Sequence, residues 1–536
     1  MKLKNPYSRN RLNLKEKFNR KFTDFVVPHI KKISLDEDWK VKSKYIPKVL
    51  ESARISIKGL ERDKTDTVEP PQDIDVDFLS IYVAEYIPIE NVDKLNKGLK
   101  KLVKNYPSPF NHGQTERIDE FCTSVKKSIR AGRWSNFGSI DFTKEREISG
   151  FVKSITIQGT HLSSSSIILQ FVINPSDNFI NNYKELIKSD IKEGFSFDLN
   201  LKNLFKFWGG KSLSYDIVKN QMVEDLIMEL KWRTMKEINK YFPMYFTKNK
   251  LIPPSIEVYK LDQSSCIFKY DENELRSSFW NSVGMDSHLS DISKDGYWKL
   301  FTEGRKPYFI DSSIKVTCNS AIKQEPMFHS LNFQIVYMTE RFANLLLPIM
   351  VMREYAVNTS EKVAMQQNKT FLSIQKAKPK YHKLINIRYE LERDLQILKR
   401  FKNEIGSNYF NRVKSEIKKV MDFEPSNPKY VDISAVEMIV DNTNYIIDKT
   451  YDHSQNFAKI IDDTVQLLEI KTNNSLRRRS FGLTITTVGL TIITVTLSLA
   501  ATIFAGMSLF YQLNDDRRNE MMSLFNPIVD IWKYFF

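Results

Sequence analysis

The hydrophobic pattern of the first 330 residues is that of a mixed α/β domain. Ile74, Val76 and Phe78 alternate with acidic residues, which predicts a strand with one solvent face. Two apolar runs, Phe151–Ile157 and Ile167–Ile173, are joined through Gly159 and residues 163–166, which predicts a hairpin. The remaining elements predicted here are helices at Glu90–Asn105 and Ser214–Tyr241 and strands within Tyr308–Thr317.

The pattern after Leu331 is helical. The apolar run Phe342–Met352 is too short to cross a bilayer and is interpreted as core. The spacing of apolar residues in Lys380–Ile405 predicts an amphipathic helix. From Val436 to Leu467, apolar and threonine residues recur at spacings of three and four, which predicts one long helix from about Asp432 to about Tyr511. A helix with such a seam needs partners, so bundling or oligomerisation is expected.

A charge-free run near the C-terminal end predicts a membrane span. Phe481–Asn514 contains no Asp, Glu, Lys or Arg and is longer than the ~20 residues that a spanning helix requires. Arg477, Arg478 and Arg479 precede the run, and Asp515–Arg518 is a mixed cluster after it. Positive charge marks the cytoplasmic side, so we expect a cytosolic body anchored in the cell's inner (plasma) membrane.

Hydroxyl side chains follow one face of this span. Spacings of three and four place six of them in a stripe: Thr484, Thr487, Thr491, Thr494, Ser498 and Thr502. Three interpretations stay open. The stripe packs against partner helices, it lines a pore, or each hydroxyl bonds to its own helix backbone and has no further role.

The sequence predicts four segments. They are a mixed α/β domain at 1–330 with a basic N-terminal extension, a helical stalk at 331–480, a membrane helix at 481–512, and a loop with a short helix at 513–536. Asn526, Pro527 and two charged residues interrupt the last helix. It is a truncated second span, a re-entrant piece or an interfacial helix.

The net charge and the cysteine content bear on the ligands and the cellular compartment of the protein. The net charge of +15 fits either a solvated surface or contact with an anion such as phospholipid or nucleotide. Direct binding of nucleic acid is not expected. The cysteines, Cys122, Cys266 and Cys318, are far apart and odd in number, which favours a reducing compartment over a disulfide framework. The N-terminal segment lacks the apolar core of a secretory signal.

The candidate chemical sites predict no enzyme. Asp73, Asp75 and Asp77 share one strand face and offer either a divalent-cation site or a plain solvent face. The glycine-bearing segments Trp134–Ser139 and Trp208–Ser212 are interpreted as ordinary turns, because neither has P-loop spacing. The sequence has no metal-binding CxxC or HExxH, and no nucleophile elbow or kinase signature.

An α/β body, a long stalk helix and a C-terminal membrane helix together resemble the CorA-type magnesium channel family. In that family the pore-lining span ends in Gly-Met-Asn, a second span follows, and five subunits surround the pore. Here Gly506 and Met507 match that signature at the end of the charge-free span, and Ser508 stands in place of the asparagine.

The resemblance implies a homo-oligomer, most simply a pentamer, with the hydroxyl stripe on the pore axis. Ser508 implies poorer selection of magnesium, since a hydroxyl offers a hydrated ion fewer acceptors than an amide. The enlarged body is similar to CorA-like membrane effectors of type III CRISPR antiviral systems. In those systems a nucleotide messenger, for example a conjugate of S-adenosylmethionine and AMP, acts on the effector.

Three functions therefore compete. The first is a channel gated through its body by a nucleotide, the second is an ordinary magnesium transporter, and the third is a membrane-anchored scaffold without a pore. A tethered enzyme with an unrecognised site is a further alternative. No cofactor is required by the first function, although a nucleotide ligand and a divalent cation are compatible with it.

Overall fold

The computed structural model describes most of the chain between residues 68 and 512. The described ranges are 68–71, 74–108, 113–127, 134–142, 147–164, 166–191, 194–197, 210–213, 215–263, 278–285, 290–302, 313–375, 380–426 and 433–512. The basic N-terminal extension, Asp73, Cys266 and the C-terminal tail lie outside them. Contacts divide the chain into a first unit, Met1–Lys369 with Glu390–Asn456, and a second unit, Thr370–Tyr389 with Phe457–Phe536. The boundaries predicted at residues 330, 480 and 512 stay predictions.

The first unit is built on a nine-stranded sheet with the order β11-β8-β9-β10-β7-β1-β4-β3-β2. Neighbouring strands are antiparallel except β7 and β10, which are parallel. The strands are β1 Ile74–Pro88, β2 Trp134–Asp141, β3 Val152–Ser163, β4 Ser166–Pro175, β7 Ser255–Gln263, β8 Ser290–Ser293, β9 Trp298–Thr302, β10 Ser313–Asn319 and β11 Phe423–Pro425. A separate two-stranded sheet pairs β5 Gly194–Phe197 with β6 Gly210–Leu213.

Both faces of the large sheet are covered. Along β1, Phe78, Ile81 and Val83 belong to one buried cluster, whereas Tyr82 and Tyr86 belong to the other. A strand with helices on both faces has no solvent side over most of its length. The predicted solvent face therefore exists only at the beginning of β1, where Asp75 and Asp77 are half-buried.

Helices near the N-terminal side of the chain pack on the first face. They are α1 Val92–Asn105, α2 Gln114–Lys127, α3 Asp177–Lys188, α4 Tyr215–Ile238 and α6 Ser278–Ser282; short 3-10 turns lie at Ile89–Asn91 and Glu147–Gly150. The short α5 Tyr245–Lys248 belongs to the other face, because its Phe246 lies in the second buried cluster. Apolar residues of α1 recur at i, i+3 and i+4, so Leu95, Leu99 and Leu102 are buried together. Ser176 caps α3 by accepting a hydrogen bond from the Phe179 N–H at 3.2 Å.

The second face is covered by the helices that follow Leu331. They are α7 Leu331–Gln375, α8 Tyr381–Arg400, a π-helical turn at Phe401–Ile405, α9 Gly406–Val420 and the beginning of α10 Ala435–Gln512. The interpretation of Phe342–Met352 as core is confirmed, since most of this run belongs to the second buried cluster. The sequence prediction of mixed α and β followed by long helices is thus confirmed.

Several local predictions need correction. Gly159 lies inside β3 and not in the hairpin loop. A Cβ at this position would stand 2.8 Å from the ring of Phe137, so a larger residue would clash there. Trp134–Ser139 is a strand with a bulge, in which Gly138 has a φ of 89°, and not a turn. The described part of Trp208–Ser212 lies in β6.

The long helix predicted near the C-terminal end is confirmed as α10, and its seam is buried over its first part. Val436, Ile439, Thr443 and Thr450 are buried in the first unit, and Phe457 is buried in the second. Beyond Ile461 the seam loses its cover, and Leu467 is 67% exposed.

The second unit contains segments of three helices. Its buried apolar residues among those described are Leu384 of α8 and Phe457, Ala458 and Ile461 of α10. Two polar contacts join α8 to α10 within this unit. Arg388 Nε lies 3.0 Å from a carboxylate oxygen of Asp462, and the Tyr381 hydroxyl donates to Glu469 at 3.0 Å.

The N-terminus of α10 is tied to the sheet by a side chain from another element. Ser434 accepts from the Glu437 N–H at 3.1 Å, which is the first half of a Ser-x-x-Glu capping box. Asp291 of β8 accepts from the Ala435 and Val436 N–H groups at 2.9 and 3.3 Å. Burial raises the pKa of Asp291 to about 7, although both backbone donors favour its charged form.

This geometry predicts a pH-dependent contribution of Asp291 to stability. A carboxyl whose pKa is higher in the folded state binds its proton more tightly there, so its contribution is largest below the unfolded value near 4. That contribution is lost as pH rises toward 7, by up to about 4 kcal/mol. Asp291→Asn keeps an acceptor for one N–H and removes the titration.

The measurement is thermal unfolding of the detergent-solubilised protein from pH 4 to 8. The melting temperature of Asp291→Asn relative to that of wild type should increase as pH rises. Asp177→Asn, which removes an exposed carboxyl from the first turn of α3, is the control. A wild-type-to-variant difference that stays constant across this range would contradict the assignment.

Candidate membrane segment

Two described helices are long and apolar enough to cross a membrane. In the most apolar stretch of α7, 61% of the residues are buried within the protein, as expected of a core helix. In the corresponding stretch of α10, within Ala435–Ala505, 0% are buried. The two helices pass the same test of length and composition, but among the described residues only α10 leaves such a stretch without cover from its own chain.

The exposed part of α10 begins before the charge-free run. From Glu469 to Ser508 no described side chain is buried. Ile470 is 56% exposed, and Phe481, Leu490 and Phe504 are exposed by 60% or more. Large apolar surfaces of this kind are covered by lipid or by other protein chains when they occur on a stable protein.

The threonine hydroxyls of this segment bond to their own helix. Those of Thr484, Thr487, Thr491, Thr494 and Thr502 each donate to the carbonyl four residues earlier at 2.8–2.9 Å. Thr486 and Thr496, which lie off the stripe, do the same at 2.9 and 2.8 Å. The backbone-bonding interpretation therefore applies to threonines on and off the stripe alike.

These bonds leave the acceptor side of each hydroxyl available. A threonine oxygen carries two lone pairs besides the donated proton, so it can still accept from a neighbouring helix or from water. The helix also suits the membrane interior, because its threonine hydroxyl donors are satisfied within the same segment. The pore-lining and helix-packing roles of the stripe stay predictions.

The residues of the Gly-Met-Ser signature lie inside α10, one to two turns before its last residue, Gln512. Met507 is 48% exposed and Ser508 is exposed. The signature is therefore presented on a regular helix, where a ring of side chains from several copies could form. Arg477, Arg478 and Arg479 lie on the same helix just before the charge-free run, and all three are exposed.

The acidic residues singled out on β1 lie among lysines. Asp75, Asp77 and Asp262 bring carboxylate oxygens within 4.8 Å of one another. Lys260 Nζ lies 3.0 Å from Asp77 and 3.2 Å from Asp262, and Lys184 pairs with Asp77 at 2.5 Å. Two ammonium groups offset two of the three carboxylate charges and occupy their oxygens, so the donor set does not favour a divalent cation.

A groove in the first unit lies between α7 and α10. Its volume is about 460 Å³, and its lining combines apolar, hydroxyl and charged side chains. Lys449 lies over the ring of Tyr445, with Nζ 5.6 Å from the ring centroid. The lining residues are Val357, Ser360, Glu361, Tyr445, Ile446, Lys449, Thr450 and His453.

Sequence reasoning missed the buried ionic groups of the sheet. Lys231 of α4 has no exposed surface and lies 3.0 Å from Glu257 of β7. Ser313 donates to the same carboxylate at 2.9 Å, and the Tyr259 hydroxyl at 2.7 Å. A buried pair with these extra hydrogen bonds is satisfied, which is the condition for tolerating charges in a core. The sequence offers no local signal for it, because the partners are 26 residues apart.

Comparison with known proteins gives no relative of this chain: no family model, no curated protein and no solved structure matches it.

The off-stripe threonines allow a matched test of the stripe. On the helix-packing interpretation, replacing Thr487, Thr491 and Thr494 together by valine should weaken self-association in detergent, since a hydrogen bond between membrane helices is worth about 0.6 kcal/mol. Chemical cross-linking of the purified protein measures the oligomeric fraction. Thr486→Val with Thr496→Val removes the same kind of backbone-bonded hydroxyl and should have no effect. Equal loss in both variants would refute a role specific to the stripe.

Proposed function

We propose that this protein is a homo-oligomeric ion channel of CorA-like type. Its α/β body lies in the cytosol, α10 spans the inner membrane, and the body gates the pore. The observation behind the proposal is the exposure of α10. One uninterrupted helix begins on the sheet at Ala435 and continues through a charge-free segment with no buried residue.

The threonine stripe supports a pore over a simple anchor. A helix that only tethers a body to the bilayer has no need of hydroxyls on one face. A helix that meets its symmetry mates around a water-filled axis benefits from a polar face whose backbone bonds are satisfied. A pentamer with Ser508 near the end of the pore is the form proposed from the resemblance to the CorA family.

A nucleotide second messenger is the proposed gating ligand, in the context of CRISPR antiviral defence. The net charge of +15 favours anionic ligands. The groove between α7 and α10 offers an exposed aromatic ring at Tyr445, a cation at Lys449 and hydroxyls at Ser360 and Thr450. A ligand bound there contacts the helix that continues into the proposed pore, which is the position from which it can bias a gate.

Ion flux in liposomes tests the pore. With the protein reconstituted at a defined ratio, we expect flux of monovalent and divalent cations with little selection between them. Single cysteines at Thr487, Thr491 and Thr494 should react with aqueous thiol reagents and block that flux. Cysteines at Leu490 and Ile493 are the controls, and the native Cys122, Cys266 and Cys318 are first replaced.

Other results would select the competing functions. Flux restricted to magnesium would favour an ordinary magnesium transporter. A complete absence of flux, with and without nucleotides, would favour the membrane-anchored scaffold. Reactivity at Leu490 and Ile493 alone would reject the stripe as the pore face.

Calorimetry with a panel of nucleotide second messengers tests the gate. Lys449→Gln should lower the affinity of the active nucleotide about tenfold, since a charge-assisted phosphate contact contributes about 1–2 kcal/mol. Lys459→Gln removes an exposed lysine from the same helix and should leave binding unchanged. Moving a gate from 1:99 to 99:1 requires about 5.5 kcal/mol of differential affinity. Tight binding without a change in flux would contradict gating.

A further inference from the structure

Three consecutive arginines lie on α10 just before the charge-free run begins. Arg477, Arg478 and Arg479 are exposed, and the structure records no ion pair or hydrogen bond of their side chains with the described residues. Residues 471–475, before them, are polar and exposed, and Phe481, just after them, is 68% exposed. The three guanidinium groups therefore lie at a boundary between exposed polar and exposed apolar helix surface.

Helix geometry distributes these charges unevenly around the axis. Successive residues of an α-helix are rotated by about 100°, so three consecutive arginines cover an arc of about 200°. An arc of about 160° between the directions of Arg479 and Arg477 carries no arginine. Because α10 is continuous from Ala435 to Gln512, the same directions can be followed into the charge-free segment.

The hydroxyl stripe lies entirely within the arginine-free arc. Measured from the direction of Arg477, the six stripe residues fall at about 260–340°, and the empty arc extends from about 200° to 360°. Leu483 and Leu490 lie toward one margin of that arc. The aliphatic residues on the opposite side, at about 40–80° and thus between the directions of Arg477 and Arg478, are Ile485, Ile492, Leu499 and Ile503.

We propose that Arg477, Arg478 and Arg479 bind the phosphate groups of anionic phospholipids and thereby fix the rotation of α10 about its own axis. The inference rests on the part of the proposed function that places α10 across the bilayer. Lipid then contacts the arc that carries the arginines and the aliphatic residues. The stripe is turned away from lipid, toward the other copies of the chain.

The chemistry of the side chain fits this partner. A guanidinium is always charged and presents paired N–H donors that match two phosphate oxygens. Its aliphatic stem lies along apolar surface while the charged head reaches the headgroups. Each basic residue at an anionic membrane surface contributes a preference of about fivefold, and three of them act from three directions around one helix.

Lipid retention by the full-length protein tests the binding. The protein is placed in nanodiscs with equal amounts of phosphatidylglycerol and phosphatidylcholine, and the lipids that remain bound after purification are counted by mass spectrometry. Phosphatidylglycerol should be enriched in wild type. Replacing all three arginines by glutamine should abolish the enrichment, and replacing them by lysine should retain most of it.

A matched control removes the same charge elsewhere. Lys94→Gln, Lys97→Gln and Lys101→Gln together take three exposed cations from α1 and should leave the enrichment intact. Enrichment that persists in the arginine variant, or that falls equally in the control, would overturn the proposal. The assay needs no ion flux, so it can succeed or fail independently of the channel.

Spin labels test the rotation. Thr487 and Ile492 point about 140° apart on the helix, and oxygen collides more often with labels that face lipid. With the native cysteines removed, oxygen accessibility should be higher at Ile492 than at Thr487. This difference should shrink severalfold in the arginine-to-glutamine variant and persist in the α1 control. Equal accessibility at both positions in the otherwise wild-type protein would refute a fixed rotation.

Discussion

The helix α10 is packed against its own chain at one end and is uncovered by it at the other, and the rest of the structure depends on this division. The first part of α10 buries Val436, Ile439 and Thr443 against its own chain. Its second half exposes an apolar surface that no described residue covers. A helix with this division is stable only if its packed end is firmly held and its free end enters lipid or meets other copies.

The packed end is held by a cap that joins two distant parts of the sequence. Asp291 belongs to β8 and reaches the first N–H groups of a helix that begins 144 residues later. The Asp291 side chain accepts from two of the four N–H donors that every helix leaves unpaired at its start. The buried Lys231 and Glu257 pair plays a comparable role between α4 and the sheet, because each partner satisfies the other's charge.

The free end is suited to lipid because its threonine hydroxyl donors are satisfied within the helix. Seven threonines of the charge-free run donate to carbonyls of their own helix, so they present no unsatisfied donor to hydrocarbon. What distinguishes the stripe from Thr486 and Thr496 is therefore its position and not its bonding. The position of a hydroxyl around a helix affects stability only when one side of the helix contacts lipid and another contacts protein.

Elements with a local signal can be predicted from the order of residues alone. A run of 34 residues without charge and a seam at spacings of three and four are sufficient to predict α10 to within a few residues of its ends. The apolar runs of β3 and β4 were equally clear. The same local patterns could suggest the hydroxyl stripe and the Gly-Met-Ser signature as candidate sites, but could not assign their roles.

Which surfaces are covered depends on the assembled fold. Gly159 looked like a loop residue, but the ring of Phe137 fills the space beside it in the middle of β3. For Asp75 and Asp77 the sequence left a cation site and a plain solvent face open, and in the structure Lys184 and Lys260 approach them from α3 and β7. Such partners are distant along the chain and meet only when the sheet is assembled, so no pattern of neighbouring residues can reveal them.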